Sequence, residues 1–178
     1  LAIKATVGIA CYSGLAKAAQ KMEIAEKCRK TAEAFAAEIT AFANRFSHLP
    51  ISWDSDESTF SLKYNFVFDK LLGLKLFGQD IFEREINCYL QRANAYGVPL
   101  DNRKAYTKSD WLCWVATLTN DEKKREKLLS GIAKFLKDSP DRVPFSDWYD
   151  TESGSHFYFR ARSVQGGCFI LLLGNPNR

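Results

Sequence analysis

The sequence predicts an all-α fold in which helical hairpins form concentric inner and outer layers. Three observations lead to this prediction. Apolar segments alternate with amphipathic ones, each pair is followed by a long polar loop, and no segment has the alternating pattern of a strand. The unit occurs three times with a period of roughly 50 residues, as expected for repeated hairpins that bury their apolar faces against their neighbours.

Apolar segments supply the inner helices. The first one, at 1–20, carries one apolar stripe through Tyr12 and Leu15 and a second through Ile3 and Val7. A helix that is apolar on both sides is expected to be buried nearly all round. Further inner helices are predicted at 62–74, 111–118 and 164–173.

Amphipathic segments supply the outer helices, which are predicted at 23–46, 80–96 and 122–136. The last inner helix then has no outer partner, so we expect an incomplete alpha/alpha toroid of about seven helices.

Residues 1–178 fit a single domain. Because Leu1 lies inside a helical pattern without an initiator Met or an N-cap, we expect the chain to be part of a longer protein.

Composition narrows the range of partners. The 25 Lys and Arg residues barely exceed the 21 Asp and Glu residues, and the two signs are interspersed. Without a basic stripe, we predict no nucleic-acid partner. No apolar run approaches the ~20 residues of a membrane span. The expected partner is a small molecule or another protein surface.

Several kinds of chemistry are disfavoured by the residues available. The five cysteines form no C-x-x-C motif and are interpreted as free, mostly buried thiols, while His48 and His156 are the two histidines. The sequence contains no G-x-S-x-G or S-x-x-K motif and no glycine-rich phosphate loop. We therefore predict no metal and no cofactor, which leaves carboxylate acid–base chemistry or binding alone.

The long connectors at 47–60, 96–108 and 139–162 each lead into an inner helix. In an up-down arrangement they must lie at one end of the domain. The helix N-termini there favour an anionic group of a ligand. A shared pocket bounded by these three connectors is therefore the expected functional site.

The second connector and the helix start after it hold the densest group of candidates. Asp101 and Asp110 are candidate catalytic acids or bases, although Asp101 could instead serve a turn after Pro99. Thr107-x-x-Asp110 also matches a capping box, a role compatible with a place in the site. The candidate substrate-binding residues in this segment are Arg103, Tyr106, Lys108 and Trp111.

The third connector contributes Asp147 as a candidate catalytic carboxylate, because acids beside aromatic rings suit a pocket for a sugar or an amino acid. The candidate binding residues here are Trp148, Tyr149, Arg160 and Arg162. The alternative is a loop that Trp148 attaches to the domain, with its acids paired to the two arginines.

Other polar residues have simpler interpretations. Asp54, Asp56 and Glu57 are expected to form a solvated acidic loop. The pairs 64–65 and 69–70 lie on an otherwise apolar inner helix and need partners if they are buried. A structural hydrogen-bond network is the first interpretation for them, and a place in the pocket wall is the second.

Four segments, at 62–74, 96–111, 144–150 and 159–167, together resemble the C-terminal helical-hairpin region of the fungal glutaminase A family and its bacterial relatives. The resemblance covers nearly the whole chain in order. Three positions depart from the family pattern. Gln165 stands where Val is usual, Tyr158 where Gly is frequent, and Cys168 where His or Tyr is common.

The resemblance implies an alpha/alpha toroid akin to that of six-hairpin glycosidases. It further implies that 1–178 is the C-terminal part of the toroid of a larger, secreted or periplasmic protein that hydrolyses L-glutamine to L-glutamate and ammonia. It supplies no catalytic set. We expect an arginine to hold the substrate carboxylate and an aspartate to activate water.

Two alternatives to a glutaminase-like hydrolase remain open at this point. One is a glycoside hydrolase or carbohydrate-binding toroid, since acids among Trp and Tyr also describe a sugar cleft. The other is a non-catalytic module. The expected partners are glutamine or a carbohydrate and the remaining domains of the parent chain. Exposed inner-helix faces also predict a homo-oligomer.

Overall fold

The computed structural model describes residues 1–141 and 143–173. Within these residues the chain forms seven helices and one two-stranded sheet, which confirms the all-α prediction. The elements are α1 (Ala2–Ala18), α2 (Met22–Ala43), α3 (Phe66–Leu71), α4 (Gln79–Gln91), β1 (Tyr106–Lys108), α5 (Ser109–Ala116), α6 (Glu122–Asp138), β2 (Trp148–Asp150) and a terminal 3₁₀ helix (Ser163–Leu172).

Helix packing follows the alternation of inner and outer segments. The inner helix α1 packs on α3, α3 packs on α5, and α5 packs on the terminal 3₁₀ helix. The outer helices lie behind them, with α2 against α1, α6 against α5, and α4 against α6. The two layers therefore correspond to the concentric arrangement that the sequence predicts.

The outer helices form where the sequence supplies an apolar stripe along one face or a capping residue at the end of the helix. On α4, Ile81, Phe82 and Ile86 are buried and face the inner layer. Helix α6 begins at the N-cap Asp121, whose carboxylate accepts hydrogen bonds from the backbone N–H groups of Lys123 and Lys124 at 2.9 and 3.2 Å.

Helix α1 is buried on one side only, so the prediction of nearly complete burial is wrong. Ile3 and Val7 belong to the core, whereas Tyr12 is 53% and Leu15 68% exposed. The helix packs on α2 and α3, and no described element covers its other stripe. The exposed stripe comprises Leu1, Ala5, Gly8, Tyr12 and Leu15.

The polar pair on α3, a buried Asp69 and a half-buried Lys70, is structural, as its first interpretation proposed. The Asp69 carboxylate accepts hydrogen bonds from the N–H groups of Leu76 and Phe77 at 2.9 and 3.2 Å. The Lys70 ammonium donates to the Leu118 carbonyl and the Asn120 side chain at 3.3 and 3.0 Å. These bonds satisfy the two polar side chains, and they link α3 to the segments that follow α3 and α5.

Several element boundaries differ from prediction, and two of them do so because backbone groups find partners outside their helices. Helix α3 begins four residues later than predicted, since the N–H of Leu62 donates to the Leu100 carbonyl at 2.7 Å. Helix α4 ends at Gln91, before a turn in which the N–H of Asn94 donates to the Gly97 carbonyl at 2.9 Å.

The three connectors gather at one rim, as predicted. The first joins the second through the N–H of Phe60, which donates to the Asn102 side chain at 3.2 Å. The second joins the third through the antiparallel strands β1 and β2, with Thr107 opposite Tyr149. The sequence analysis missed both strands, because three residues are too few to show an alternating pattern.

Glycine permits one close approach between the layers. A Cβ atom added to Gly131 on α6 would lie 2.5 Å from the Cα atom of Gly97, inside the turn that follows α4. A Cβ added to Gly8 on α1 would meet no atom within 4 Å. The same substitution should therefore have opposite effects at the two positions.

We predict that Gly131→Ala lowers the free energy of unfolding by about 1–3 kcal/mol, because α6 and the turn must separate. The matched control Gly8→Ala should raise it by about 0.4–1 kcal/mol, since alanine restricts the unfolded chain. Urea denaturation of the purified variants measures both values. A Gly131→Ala variant as stable as the wild type would refute the close contact.

Candidate functional site

A cleft of about 660 Å³ opens at the rim between the first two connectors. Trp53 lies on one side, and Asp101, Arg103 and Tyr106 of the second connector lie on the other. Residues of α1 and α2, among them Ile3 and Phe42, form another part of the wall. The start of the α3 segment and α5 complete it. Their lining residues are Ser61, Leu62, Lys63, Tyr64, Asn65 and Trp111. The volume falls within the range of small-molecule sites.

Asp101 and Arg103 form an ion pair at the cleft. The Nε and Nη2 groups of Arg103 donate to the two carboxylate oxygens of Asp101 at 3.0 and 2.7 Å. The Arg103 side chain is nevertheless 72% exposed, and its Nη1 group takes no part in the two hydrogen bonds to the Asp101 carboxylate. Burial raises the pKa of Asp101, but the hydrogen bonds from Arg103 outweigh it and hold the pKa below its ordinary value. Asp101 is therefore a charged group and a weak base.

Aromatic rings form much of the remaining wall. Tyr64 stacks on Trp111 with ring centroids 3.9 Å apart and planes inclined by 19°. Trp53 packs on Phe42 at 4.4 Å and is 53% exposed. The cleft thus combines flat apolar faces with a charged pair. Tyr64 and Asn65 line the cleft. For these two residues the second interpretation of the sequence, a place in the pocket wall, therefore describes the structure.

Ser61 and Lys63 are cleft residues that the sequence analysis missed. The Lys63 ammonium donates to the Ser61 hydroxyl at 2.7 Å and to the carbonyls of Leu49 and Ser61 at 3.2 and 3.3 Å. Burial lowers the pKa of Lys63, while Glu85 and Asp101 act in the opposite direction. A Ser-x-Lys sequence on an extended segment is the signal that could have identified the pair, because residues i and i+2 face the same side.

Helix α4 supports this segment from behind. The buried Glu85 carboxylate accepts a hydrogen bond from the N–H of Leu49 at 2.6 Å and one from the Tyr89 hydroxyl at 2.9 Å. The Tyr89 hydroxyl in turn accepts one from the N–H of Lys63 at 2.8 Å. Burial raises the pKa of Glu85 above its ordinary value.

Asp147 belongs to a second group of charges. Its buried carboxylate accepts hydrogen bonds from Lys108 at 3.1 Å and from Arg162. Burial raises the pKa of Asp147, and the two cations lower it further than burial raises it, so the pKa lies below its ordinary value. Both cations also lie over the ring of Phe159. This arrangement matches the alternative interpretation, in which the acid pairs with an arginine.

Asp110 lies beside Asp147 at the first turn of α5. Burial and the negative charge of Asp147 raise its pKa, and its Oδ1 atom has no hydrogen-bond partner among the described residues.

The capping-box prediction is wrong. The N-cap of α5 is Lys108, without a side-chain cap, and the Thr107 hydroxyl is buried without a described partner. Pairing of β1 with β2 fixes Thr107 in the sheet instead.

The other candidates on the third connector lie around the sheet. Trp148 contacts Tyr106, with ring centroids 5.3 Å apart. Tyr149 is fully buried and stacks on Phe135 at 3.8 Å, so it is a core residue in this structure. The Arg160 guanidinium is exposed, and its Nε group donates to His156 at 3.3 Å.

The eleven candidates thus divide between two places rather than gathering around one pocket. Asp101, Arg103, Tyr106 and Trp111 line the cleft. The residues outside its described lining are Lys108, Asp110, Asp147, Trp148, Tyr149, Arg160 and Arg162. The third connector lies apart from this cleft because β2 pairs with β1, and because Asp147 and Phe145 accept hydrogen bonds from Arg162 and Gln165 around the start of the terminal 3₁₀ helix.

The described residues contain no group of three or more His, Cys, Asp and Glu side chains arranged to hold a metal ion. All five cysteines are free thiols, as the sequence predicts, but only Cys88 and Cys113 are buried, so the prediction that most of them are buried is wrong. None of the helices in the described ranges has the combined length and apolar character that crossing a membrane requires.

Comparison with known proteins identifies relatives over the length of the domain. A profile of the family described as "Glutaminase A six helical-hairpin domain" matches residues 1–172. Glutaminase A of Aspergillus oryzae is 36% identical over 129 residues, which cover 71% of this chain and 18% of that protein. A protein of Arthroderma benhamiae named "Probable glutaminase" is 26% identical over 204 residues, covering 97% of this chain and 23% of that protein.

No solved structure matches the chain. The chain spans about a fifth of the length of the curated relatives it matches. The profile match and the alternation of inner and outer helices agree with the resemblance seen in the sequence. The chain belongs to the glutaminase A six helical-hairpin domain family.

Proposed function

We propose that this chain provides the substrate cleft of a glutaminase-like amide hydrolase, which converts L-glutamine and water into L-glutamate and ammonia. The observation that carries the proposal is the Asp101–Arg103 ion pair at the aromatic-lined cleft. The names of the two relatives support the choice of substrate.

The charges of the cleft complement those of an amino acid. The Asp101 carboxylate suits the α-ammonium group of glutamine, and the exposed guanidinium edge of Arg103 suits its α-carboxylate. The lowered pKa of Asp101 favours this binding role over the role of general base expected from the sequence. Tyr64 and Trp111 offer flat faces to the carbon chain.

Asp110 and Asp147 have a supporting role in this proposal. The Lys108 and Arg162 cations already neutralise the Asp147 carboxylate, so it is a poor base and a good anchor for the start of the terminal 3₁₀ helix. Asp110 shares the same buried surroundings. We therefore assign neither residue to the cleft.

A carbohydrate-active toroid is the second candidate function. The stacked Tyr64 and Trp111 rings and the exposed Trp53 favour it, because sugar rings pack on aromatic faces. Measuring ammonia released from glutamine and reducing ends released from oligosaccharides discriminates the two. Reducing ends without ammonia would replace the glutaminase proposal by the carbohydrate one.

We further propose that the chain is one part of a longer protein whose remaining domains are its partners. The exposed apolar stripe of α1 and the small share of the relatives that the chain covers support this arrangement. An apolar stripe of this kind is more stable when another surface covers it.

For the cleft, we predict that Arg103→Met in the full-length protein lowers kcat/KM for glutamine roughly 10- to 100-fold, through the loss of charge-assisted hydrogen bonds to the α-carboxylate. Turnover of glutamine α-amide, which lacks that carboxylate, should change little. Ammonia release gives both rates. Lys104→Met removes an exposed charge from the same connector and serves as the matched control.

Equal losses for glutamine and for its α-amide would contradict the role given to Arg103. Equal activity of Arg103→Met and Lys104→Met on glutamine would contradict the position of the substrate in this cleft.

For the α1 stripe, we predict that the isolated chain self-associates or is poorly soluble, and that a Tyr12→Gln, Leu15→Gln double variant is monomeric. Light scattering measures the molar mass. Met22→Gln is the control, since Met22 is 58% exposed on α2 and lies outside the stripe. A stable, soluble wild-type monomer would refute this prediction.

A further inference from the structure

A serine hydroxyl and a lysine amine lie side by side in the cleft. We propose that Ser61 and Lys63 form a nucleophile–base pair that cleaves the substrate amide through a covalent acyl intermediate on Ser61. This inference rests on the proposed function, because it names the groups that carry out the hydrolysis in the same cleft.

The geometry meets the requirements for such a pair. The Lys63 Nζ and Ser61 Oγ atoms are 2.7 Å apart, within the hydrogen-bond reach that a nucleophile and its base need. Both residues line the cleft beside Asp101 and Arg103. Ser61 forms an antiparallel bridge with Asp101, so its backbone is extended, and side chains at i and i+2 of such a segment face the same side.

The surroundings of Lys63 favour a proton acceptor. Burial lowers the pKa of this amine, which increases the neutral fraction that can accept a proton at neutral pH. The facing groups that raise its pKa are Glu85 and Cys88 on α4 and Asp101 on the second connector. The carbonyls of Leu49 and Ser61 fix the position of the Nζ atom.

The reaction balances with water as the only second reactant. The Ser61 oxygen attacks the side-chain amide carbon of glutamine while its proton passes to the neutral Lys63 amine. As the C–N bond breaks, Lys63 returns that proton to the leaving nitrogen, and ammonia departs. Water then attacks the Ser61 ester with Lys63 again as base. The ester C–O bond breaks, the Ser61 oxygen takes the proton from Lys63, and glutamate is released.

Two substitutions in the full-length protein test the pair. Ser61→Ala removes the nucleophile. Lys63→Arg keeps a cation with hydrogen-bond donors, but a guanidinium does not accept a proton. We expect each to lower kcat for ammonia release by about 10³-fold or more. The matched control is Ser58→Ala, an exposed serine shortly before Ser61 in the chain, which should keep wild-type turnover.

The pH dependence gives a second readout. Because Lys63 must be neutral to act, wild-type kcat/KM should rise with pH as the amine loses its proton. Lys63→Arg should show no such rise in its residual activity. Melting temperatures near that of the wild type establish that the variants are folded. A folded Lys63→Arg protein with full activity would overturn the proposal.

Covalent labelling tests the pair without turnover. A fluorophosphonate probe forms an O–P bond with an activated serine as fluoride leaves, and mass spectrometry locates the label. We expect the label on Ser61 in the wild type and in Ser58→Ala, faster labelling at higher pH, and loss of the label in Ser61→Ala and Lys63→Arg.

The outcomes separate this inference from the proposed function. Ammonia release that persists in Ser61→Ala, with no label on Ser61, would overturn the nucleophile–base pair and leave the glutaminase proposal intact. Labelling of Ser61 in a protein that releases no ammonia from glutamine would support the pair and contradict the glutaminase proposal.

Discussion

The cleft depends on one buried interaction, the hydrogen bonds by which Glu85 and Tyr89 of α4 hold the first connector. Glu85 accepts from the N–H of Leu49 in this connector, and Tyr89 accepts from the N–H of Lys63 just after it, so one outer helix fixes the chain near both ends of the connector. An unpaired backbone N–H group at such a depth is costly, and these bonds remove that cost. The position of Lys63 in the cleft wall follows from them.

The two groups of charges differ because their surroundings differ. Asp101 lies at the open cleft with an exposed arginine, which leaves donors for a ligand. Asp147 is buried between two cations, and such a pair is stable only while both charges stay matched. The same residue types therefore suit recognition at one place and attachment of a connector at the other.

Two positions around the terminal 3₁₀ helix have particular backbone requirements. Tyr158 has a φ of 42°, in the left-handed region that favours glycine, and the residue is 83% exposed. Gly167 matters for packing, since a Cβ there would lie 2.8 Å from the Trp114 indole nitrogen. The glycine lets the terminal 3₁₀ helix approach α5, whose Cys113 thiol meets that of Cys168.

The seven helices, their alternation between layers and the shared rim could all be predicted from the sequence, because they follow from local periodicity and from connector length. The sequence also pointed to Asp101, Arg103, Tyr106 and Trp111. The separation of Asp147 from the cleft, and the presence of Ser61 and Lys63 in its wall, are evident from the three-dimensional structure alone. Those facts depend on strand pairing and on hydrogen bonds between residues distant in sequence, which leave no periodic signal in the chain.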